Sequence, residues 1–384
     1  MDSVQRQDPC APESGLRQTV GAALLTAAMA LPFAGSAHAE SAPERGVISL
    51  KSLDYQDSQP GDERIHVRAT ALRVEAPIAG EWLVGGTLTS DSISGASPAY
   101  QTTSLGQMHD RRHAADADVT RYFQNGTLSF GASLSSESDY LSRGLSLQGS
   151  RSTEDKNTTW TAGVGVNSDE INPTNHVVEH ETKHINNLLL GVTQVLTIND
   201  IVQLNFGRSW GRGYFSDPYK LFDNRPRERD SNTVMARWNH HVEATDGTVR
   251  LSYRYYSDTW RVKAHTLGAE YVQPLAQGWT VTPLLRLYSQ SAASFYVDTN
   301  QENGPFGPTL PPGTIFYSED QRVSAFGART FGIKVAKQIN ADWLVDVKYE
   351  QYEQRAAWRF FGDGSPGLAP FSARRVQVGV STQF

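Results

Sequence analysis

His176, His180 and His184 recur at four-residue intervals beside Glu179 and Glu181. On a helix the three would share one face and could hold zinc or copper as neutral imidazoles. On a strand they would also share a side, but neighbours four residues apart are separated by about 13 Å. One strand cannot gather them around an ion, so a solvated loop is the favoured reading and they remain weak metal candidates. His240 and His241, with Asp200 or Asp246, could form an acid-base pair of a hydrolase. Such a pair would lie beside a short turn, and adjacent strand residues point to opposite faces. Asp54 with Asp57, or Asp116 with Asp118, could share calcium, though neither has EF-hand spacing. No Gly-x-Ser-x-Gly elbow or Walker loop occurs. The sequence therefore offers no catalytic residue and no cofactor site, and points away from an enzyme, with a hydrolase as a minor alternative.

The stretch from Asp217 to Asp230 is richer. It carries Lys220, Arg225, Arg227 and Arg229 among Asp217, Asp223, Glu228 and Asp230, and Pro218 and Pro226 limit its freedom. Mixed signs at this density suit a loop that bridges its own charges and folds onto the body of the protein, or one that meets lipopolysaccharide phosphates. Residues 217, 220, 223, 225, 227 and 229 are the functional-loop candidates. Residues 292–319, with Pro305, Pro308, Pro311 and Pro312, are too rich in Pro and Gly to be a strand and are expected to cap or enter a lumen.

Those loops must be held by something, and the periodicity says what. From about residue 47 to the end, apolar residues alternate with small or charged ones, without a convincing period of 3.6. Leu128, Phe130, Ala132 and Leu134 alternate with serines and glycine. Trp343, Val345, Val347 and Tyr349 alternate with Leu344, Asp346, Lys348 and Glu350. Seven connections are tight: Ala79-Gly80, Asn125-Gly126, 153–156, Asn199-Asp200, Asp246-Gly247, 276–278 and Asn340-Ala341. Eight read as longer or more polar, near 57–61, 95–115, 136–143, 169–182, 216–229, 257–262, 292–319 and 356–371. The two classes alternate along the chain. Fifteen connections make sixteen strands, or 12 or 14 if 116–124 and 141–151 are loops, with both ends on the short-turn side. This is the pattern of an antiparallel, up-and-down transmembrane β-barrel.

Composition agrees. The 384 residues carry a net charge of -6 and are 39% hydrophobic; a mean hydropathy of -0.45 excludes a helical membrane bundle but not a barrel, in which alternate residues face lipid. The apolar run from Val20 to Ala34 follows Arg17 and ends in Ala37-His38-Ala39, which predicts a signal peptide over 1–39 cleaved after Ala39. A short segment, 40–46, would precede a barrel over 47–384. Cleavage would discard Cys10, the only cysteine, and with it any disulfide or thiolate metal site. Mild acidity argues against nucleic acid. Parity assigns Arg250, Arg254, Glu270, Arg286, Asp346, Lys348, Glu350 and Arg375 to the lumen, because Arg or Lys facing lipid costs about 2–4 kcal/mol at mid-membrane. Trp82, Trp160, Trp238, Trp279 and Trp343 fall near strand ends, as an interfacial girdle requires.

Several runs, including DYQDSQPGDERI (54–65), RGYFSDPYKLFDNRPRERD (212–230), SYRYYSDTW (252–260) and SPGLAPFSARRVQVGVS (365–381), resemble the proteobacterial family labelled domain of unknown function 3570. The resemblance covers essentially the whole mature chain. It implies an outer-membrane barrel of a Gram-negative bacterium without assigned activity, and an envelope redox or lipoprotein partner. The last strand, ending at Phe384, resembles the signal read by the barrel-insertion machinery. The expected function is a pore or transport barrel for small solutes, or one serving an envelope redox or cofactor system. The alternative is a non-conducting scaffold or ligand-binding barrel plugged by its loops.

Overall fold

The computed structural model describes residues 41–60, 62–96, 107–220, 222–298 and 310–384. The expected signal peptide, Pro305 and Pro308, and residues 97–106 of the loop expected near 95–115 lie outside them.

Alternation resolves into strands as expected. The first eight are β1 (Val47–Gln59), β2 (Asp62–Ile78), β3 (Trp82–Ala96), β4 (Gln107–Phe123), β5 (Gly126–Ser136), β6 (Tyr140–Ser152), β7 (Thr158–Ile171) and β8 (Glu181–Val195). There follow β9 (Asp200–Gly213), the two-residue β10 (Asp223–Asn224), β11 (Glu228–Val242), β12 (Gly247–Asp258) and β13 (Lys263–Leu275). The chain ends with β14 (Trp279–Gln290), the two-residue β15 (Tyr317–Ser318), β16 (Phe326–Gln338), β17 (Trp343–Arg355) and β18 (Phe371–Gln383). All but β10 and β15 form one closed antiparallel barrel of sixteen strands, and those two pair with each other outside it. The segments 116–124 and 141–151 fall largely within β4 and β6, so the count is sixteen rather than fewer.

The barrel closes where β1 meets β18, in unbroken register from Val47 opposite Gln383 to Ser58 opposite Ser372. Just past that seam, Gly46 and Phe384 exchange two backbone hydrogen bonds of 3.0 Å. The Phe384 ring lies so close to Gly46 that a Cβ there would come within 2.4 Å of it. Glycine at 46 is thus what lets the terminal aromatic fold over the seam. At the turn between β2 and β3, Ala79 and Gly80 both take positive φ, 54° and 70°, which matches the twist of the flanking strands.

Sorting of the connections by length is looser than the sequence suggests. At the end opposite the termini, the turns at 137–139 and 259–262 are as tight as hairpins and β2 begins three positions after β1 ends, because the strands run on through residues that read as polar loop. The long described connections there are 172–180, 214–227 and 356–370, together with the region around β15.

Each barrel strand has one face whose large apolar side chains are exposed. Leu128, Phe130 and Leu134 on β5, Leu145 and Leu147 on β6, and Val376 and Val378 on β18 are examples. In a closed barrel such a face must be the outer, lipid-contacting wall. Cross-strand register carries the same assignment around the ring, since directly paired residues share a face. Trp82, Trp160, Trp238, Trp279 and Trp343 are all exposed on the outer wall, next to the tight turns and termini. They form a girdle at one interface.

A charge placed mid-strand on either wall separates the two environments. Phe130→Arg is expected to destabilise the folded barrel by about 2–4 kcal/mol in vesicles. Ser133→Arg, on the inner face of the same strand, should leave the urea unfolding midpoint near that of the wild type.

Candidate functional site

Opposite parity to the apolar wall defines the lumen. Arg250, Arg254, Glu270, Arg286, Asp346, Lys348, Glu350 and Arg375 all lie on this inner face, as the pairings Arg250–Glu270, Asp346–Gly379 and Glu350–Arg375 require. They are not equivalent. Glu350 is almost fully buried between Arg375, which donates to it, and Lys348, 3.4 Å away. Asp346 sits 3.6 Å from Lys334, and Arg250 4.0 Å from Glu270. On the other side of the ring, Arg73 bridges Glu75 and Asp118 (2.6 and 3.1 Å), Arg112 holds Asp91 (2.9 Å) and Lys183 holds Asp169 (3.1 Å). Between these pairs, Asp116, Ser133, Ser146, Gln148, Asn187, Arg254 and Arg286 point inward and yet are exposed. Inward-facing residues can be exposed only if the space between the walls admits water.

Above this chamber the end opposite the termini is roofed. Asp320, 1% exposed, accepts from Arg225 at 2.6 Å, lies 3.0 Å from Lys220 and is bonded by Arg322. Arg225 also reaches Asp223 at 2.8 Å, and Arg322 reaches Asp217 at 2.8 Å. The pairing of β10 with β15 locks the same two loops through their backbones. Beneath the charges is an apolar nucleus of Trp260, Val262, Ala293, Phe295 and Val323, with Phe215 packed against it. Phe215 and Phe295 meet the Trp260 ring edge-on, at 5.6 and 5.2 Å between centroids.

The roof ties in most of the neighbouring loops. Tyr219 donates to Asp139 of the 137–139 turn, and its hydroxyl accepts from the backbone of Thr174. Ser365 exchanges hydrogen bonds of 2.8 and 2.9 Å with Ala325. Gln321 contacts Gln59, at the tip of β1, at 3.5 Å. Because β9 stands eight places from β1 in a ring of sixteen, residues 320–322 touch loops on opposite sides of the opening and so cross it.

Burial opposes ionisation of Asp320, but Arg322, Lys220 and Arg225 overcome it and hold the carboxyl well below the usual carboxylate range. Burial pushes Asp217 up and Lys220 down from their ordinary values.

Of the six loop candidates, Asp217, Lys220, Asp223 and Arg225 meet in this hub. Lys220 and Arg225 are too enclosed to meet lipopolysaccharide phosphates, which corrects that part of the expectation. Arg227 turns away to Glu181 (2.8 Å) and Arg229 is held by Asp258 (2.9 Å) with its guanidinium 4.2 Å from the Trp260 ring centre. The sequence reading missed Asp320 and Arg322, which lie just past the bounds given to the Pro-rich loop. It also missed a legible repeat, Tyr-x-Asp or Tyr-x-Gln, on inner faces below the roof. Tyr55 donates to Asp57 (3.0 Å), Tyr256 to Asp258 (2.9 Å), Tyr288 to Gln290 (2.6 Å) and Tyr352 to Gln354 (2.8 Å). Residues two apart on a strand share a face, so each phenol reaches along its own strand to the next inward side chain.

The histidines do not converge. His176 pairs with Glu179 at 3.4 Å, the backbone of His180 bonds Asn172, and His184 lies on the outer face of β8. Residues 180–184 read His-Glu-Thr-Lys-His, the His-Glu-x-x-His spacing of zinc peptidases, which the sequence reading wrongly took to be absent. That motif needs a helix, and here it runs from a loop into a strand, with Glu181 committed to Arg227. His240 and His241 face opposite sides: His240 bonds Asp200 (2.8 Å) on the outer wall and His241 lies 3.6 Å from Asp246. Asp54 and Asp57 likewise point apart, since β1 alternates there. Among the described residues the one cluster with metal-ligand spacing is Asp110, Glu137 and Asp139, which the sequence reading did not find. Burial and the neighbouring Asp139 push Glu137 up to about 8.

A family model described as "Protein of unknown function (DUF3570)" matches residues 99–374, more than half of the chain. No curated protein matches it in sequence. Among solved structures it is similar to a bacterial polysaccharide outer membrane secretin, with a TM-score of 0.52 and 10% identity, over 88% of this chain and 98% of that one. It is also similar to Pseudomonas aeruginosa OccK2 in complex with glucuronate, with a TM-score of 0.44 and 11% identity, over 91% of this chain and 100% of that one. At such identities the first likeness speaks to the fold alone.

Asp320→Ala would leave Lys220, Arg225 and Arg322 with only Asp217 and Asp223 to balance them, a loss of up to about 3–5 kcal/mol from that element. The expected result is protease cleavage within 310–325 of a barrel that stays folded by heat-modifiability. A depressed carboxyl contributes stability above its unfolded pKa of about 4 and loses it as pH falls through the folded value. Wild-type loops should therefore resist cleavage down to about pH 4 and yield only in stronger acid.

Proposed function

The chain belongs to the family described as Protein of unknown function (DUF3570), and from that premise, an outer-membrane β-barrel without an assigned activity, we propose that it is a pore for small hydrophilic solutes. The observation that carries this reading is the ring of exposed polar residues on the inner wall, Asp116, Ser133, Gln148, Asn187, Arg254 and Arg286. A wall of this kind has no use for lipid or for a packed core; it suits solutes that travel hydrated. Gly131, Gly144, Gly165 and Gly191, on inner faces of β5 to β8, keep one side of the chamber free of bulk. The roof limits what enters, so the reading is restricted to small molecules. Delivery to an envelope redox or lipoprotein partner belongs to the same proposal, as does contact of the outer wall with lipid and lipopolysaccharide. The proposed role is not enzymatic.

A second reading, a closed barrel that binds rather than conducts, is favoured by the hub at Asp320 that spans the opening. Planar-bilayer recordings separate the two. The pore reading predicts step conductance from the wild-type protein and a larger step from Asp320→Ala. Silence from the wild type with current from Asp320→Ala would replace it with the closed reading, and silence from both would remove transport altogether.

A further inference from the structure

Most inner-wall cations are neutralised by a carboxylate within 4.0 Å: Arg73, Arg112, Lys183, Arg250, Lys334 and Arg375 all have one. Three arginines break that rule. Among the described residues, Arg237, Arg254 and Arg286 have no carboxylate within the 4.0 Å of an ion pair; Arg254 lies 5.7 Å from the centre of the Tyr256 ring, and Arg286 acts on the already paired Glu350 only from beyond that distance. They are close in the sheet. Arg237 on β11 is paired with Ser252 on β12, Ser252 with Gly268 on β13, and Gly268 with Arg286 on β14. This single row lies across four neighbouring strands on the inner face. At about 4.8 Å per strand, its two arginines stand about 14 Å apart at the backbone. Arg254 rises between them, two residues along β12 from Ser252 and on the same face.

What lies between the three is small. Ser252 and Gly268 occupy the middle of the row, and a Cβ at 268 would come within 2.6 Å of Ser252 Oγ. The floor is therefore a shallow depression, with flexible guanidinium groups on its rim. Arg254 and Arg286 are exposed and Arg237 is half-buried, so all three can be reached from the water-filled chamber. Three like charges around one depression repel one another, and low-dielectric walls strengthen that field. A solute bearing anionic oxygens relieves the repulsion, and the planar fork of arginine suits carboxylate and phosphate alike.

We infer that Arg237, Arg254 and Arg286 form a binding station for small multivalent oxyanions on the lumen wall. The station rests on the pore reading for its role and names the solute class that the passage favours. Its geometry separates it from the roof, whose cations are consumed by Asp320, Asp217 and Asp223.

The test is equilibrium binding to the full-length barrel in detergent, by calorimetry at constant ionic strength, with pyrophosphate and citrate as probes and chloride as the reference. Wild-type protein should bind at least one probe, and the arm that binds more tightly tells phosphate from carboxylate as the preferred group. The triple variant Arg237→Gln, Arg254→Gln, Arg286→Gln should lose at least tenfold in affinity. Ser252→Asp, which places a carboxylate between the three arginines without removing them, should lose a similar amount and guards against misfolding of the triple variant. Wild-type protein that takes up neither probe, or folded variants that bind as well as it does, would overturn the station. Binding needs no current: a conducting barrel that fails to bind sinks the station and spares the pore, and a silent barrel that binds does the reverse.

Discussion

Inside a bilayer no water is available to backbone N–H and C=O groups, so every strand must find partners on both edges. The rest of this structure follows from meeting that demand at a single seam. With β1 paired to β18 from Val47 to Ser58, the sheet has no free edge. The crossed backbone bonds of Gly46 and Phe384 extend the pairing one step beyond the last strand. Once the ring is closed, the two-residue period of each strand sends alternate side chains to lipid and to the lumen, and a slip of one residue would exchange them all.

Closure creates a second problem, since sixteen strands enclose more space than side chains from the wall can fill. The chain answers it differently at two heights. At mid-height the inner wall of the described residues is paired charges, serines, glycines and three arginines without an ion pair, which leaves a chamber for water. At the loop end the space is filled by an ordered roof, with an apolar nucleus around Trp260 and Asp320 shared among three cations. A buried carboxylate with three cationic neighbours is a weak source of net stability but a strong constraint on geometry, because removing it leaves three enclosed cations to two carboxylates, Asp217 and Asp223. That fits a roof whose role is to hold one arrangement across an opening.

The barrel was legible because its signal is local. Leu128, Phe130 and Leu134 declare the face of β5 without reference to any other strand, and the same parity argument placed eight charges on the inner wall. The same parity places Arg237, flanked by Ala236 and Trp238 on the opposite face, on the inner wall as well. The roof was only half legible. Asp217, Lys220, Asp223 and Arg225 stood out as a dense mixture of signs, but their common partner Asp320 lies 95 residues beyond Arg225, and nothing local marks it. Loop length was misjudged where polar strand ends, such as 136–143, continue past the apolar belt and look like loop.

The central claim is that the inner face meets water while the outer face meets lipid. Because Cys10 is the only cysteine, single thiols can be introduced at Ser133 and Phe130 in a Cys10→Ser chain and labelled, in reconstituted vesicles, with a charged reagent that does not cross lipid. The account predicts rapid labelling of Ser133→Cys and protection of Phe130→Cys. Equal protection of both would mean a packed, dry interior, and labelling of Phe130→Cys with protection of Ser133→Cys would mean that the two walls have been assigned the wrong way round.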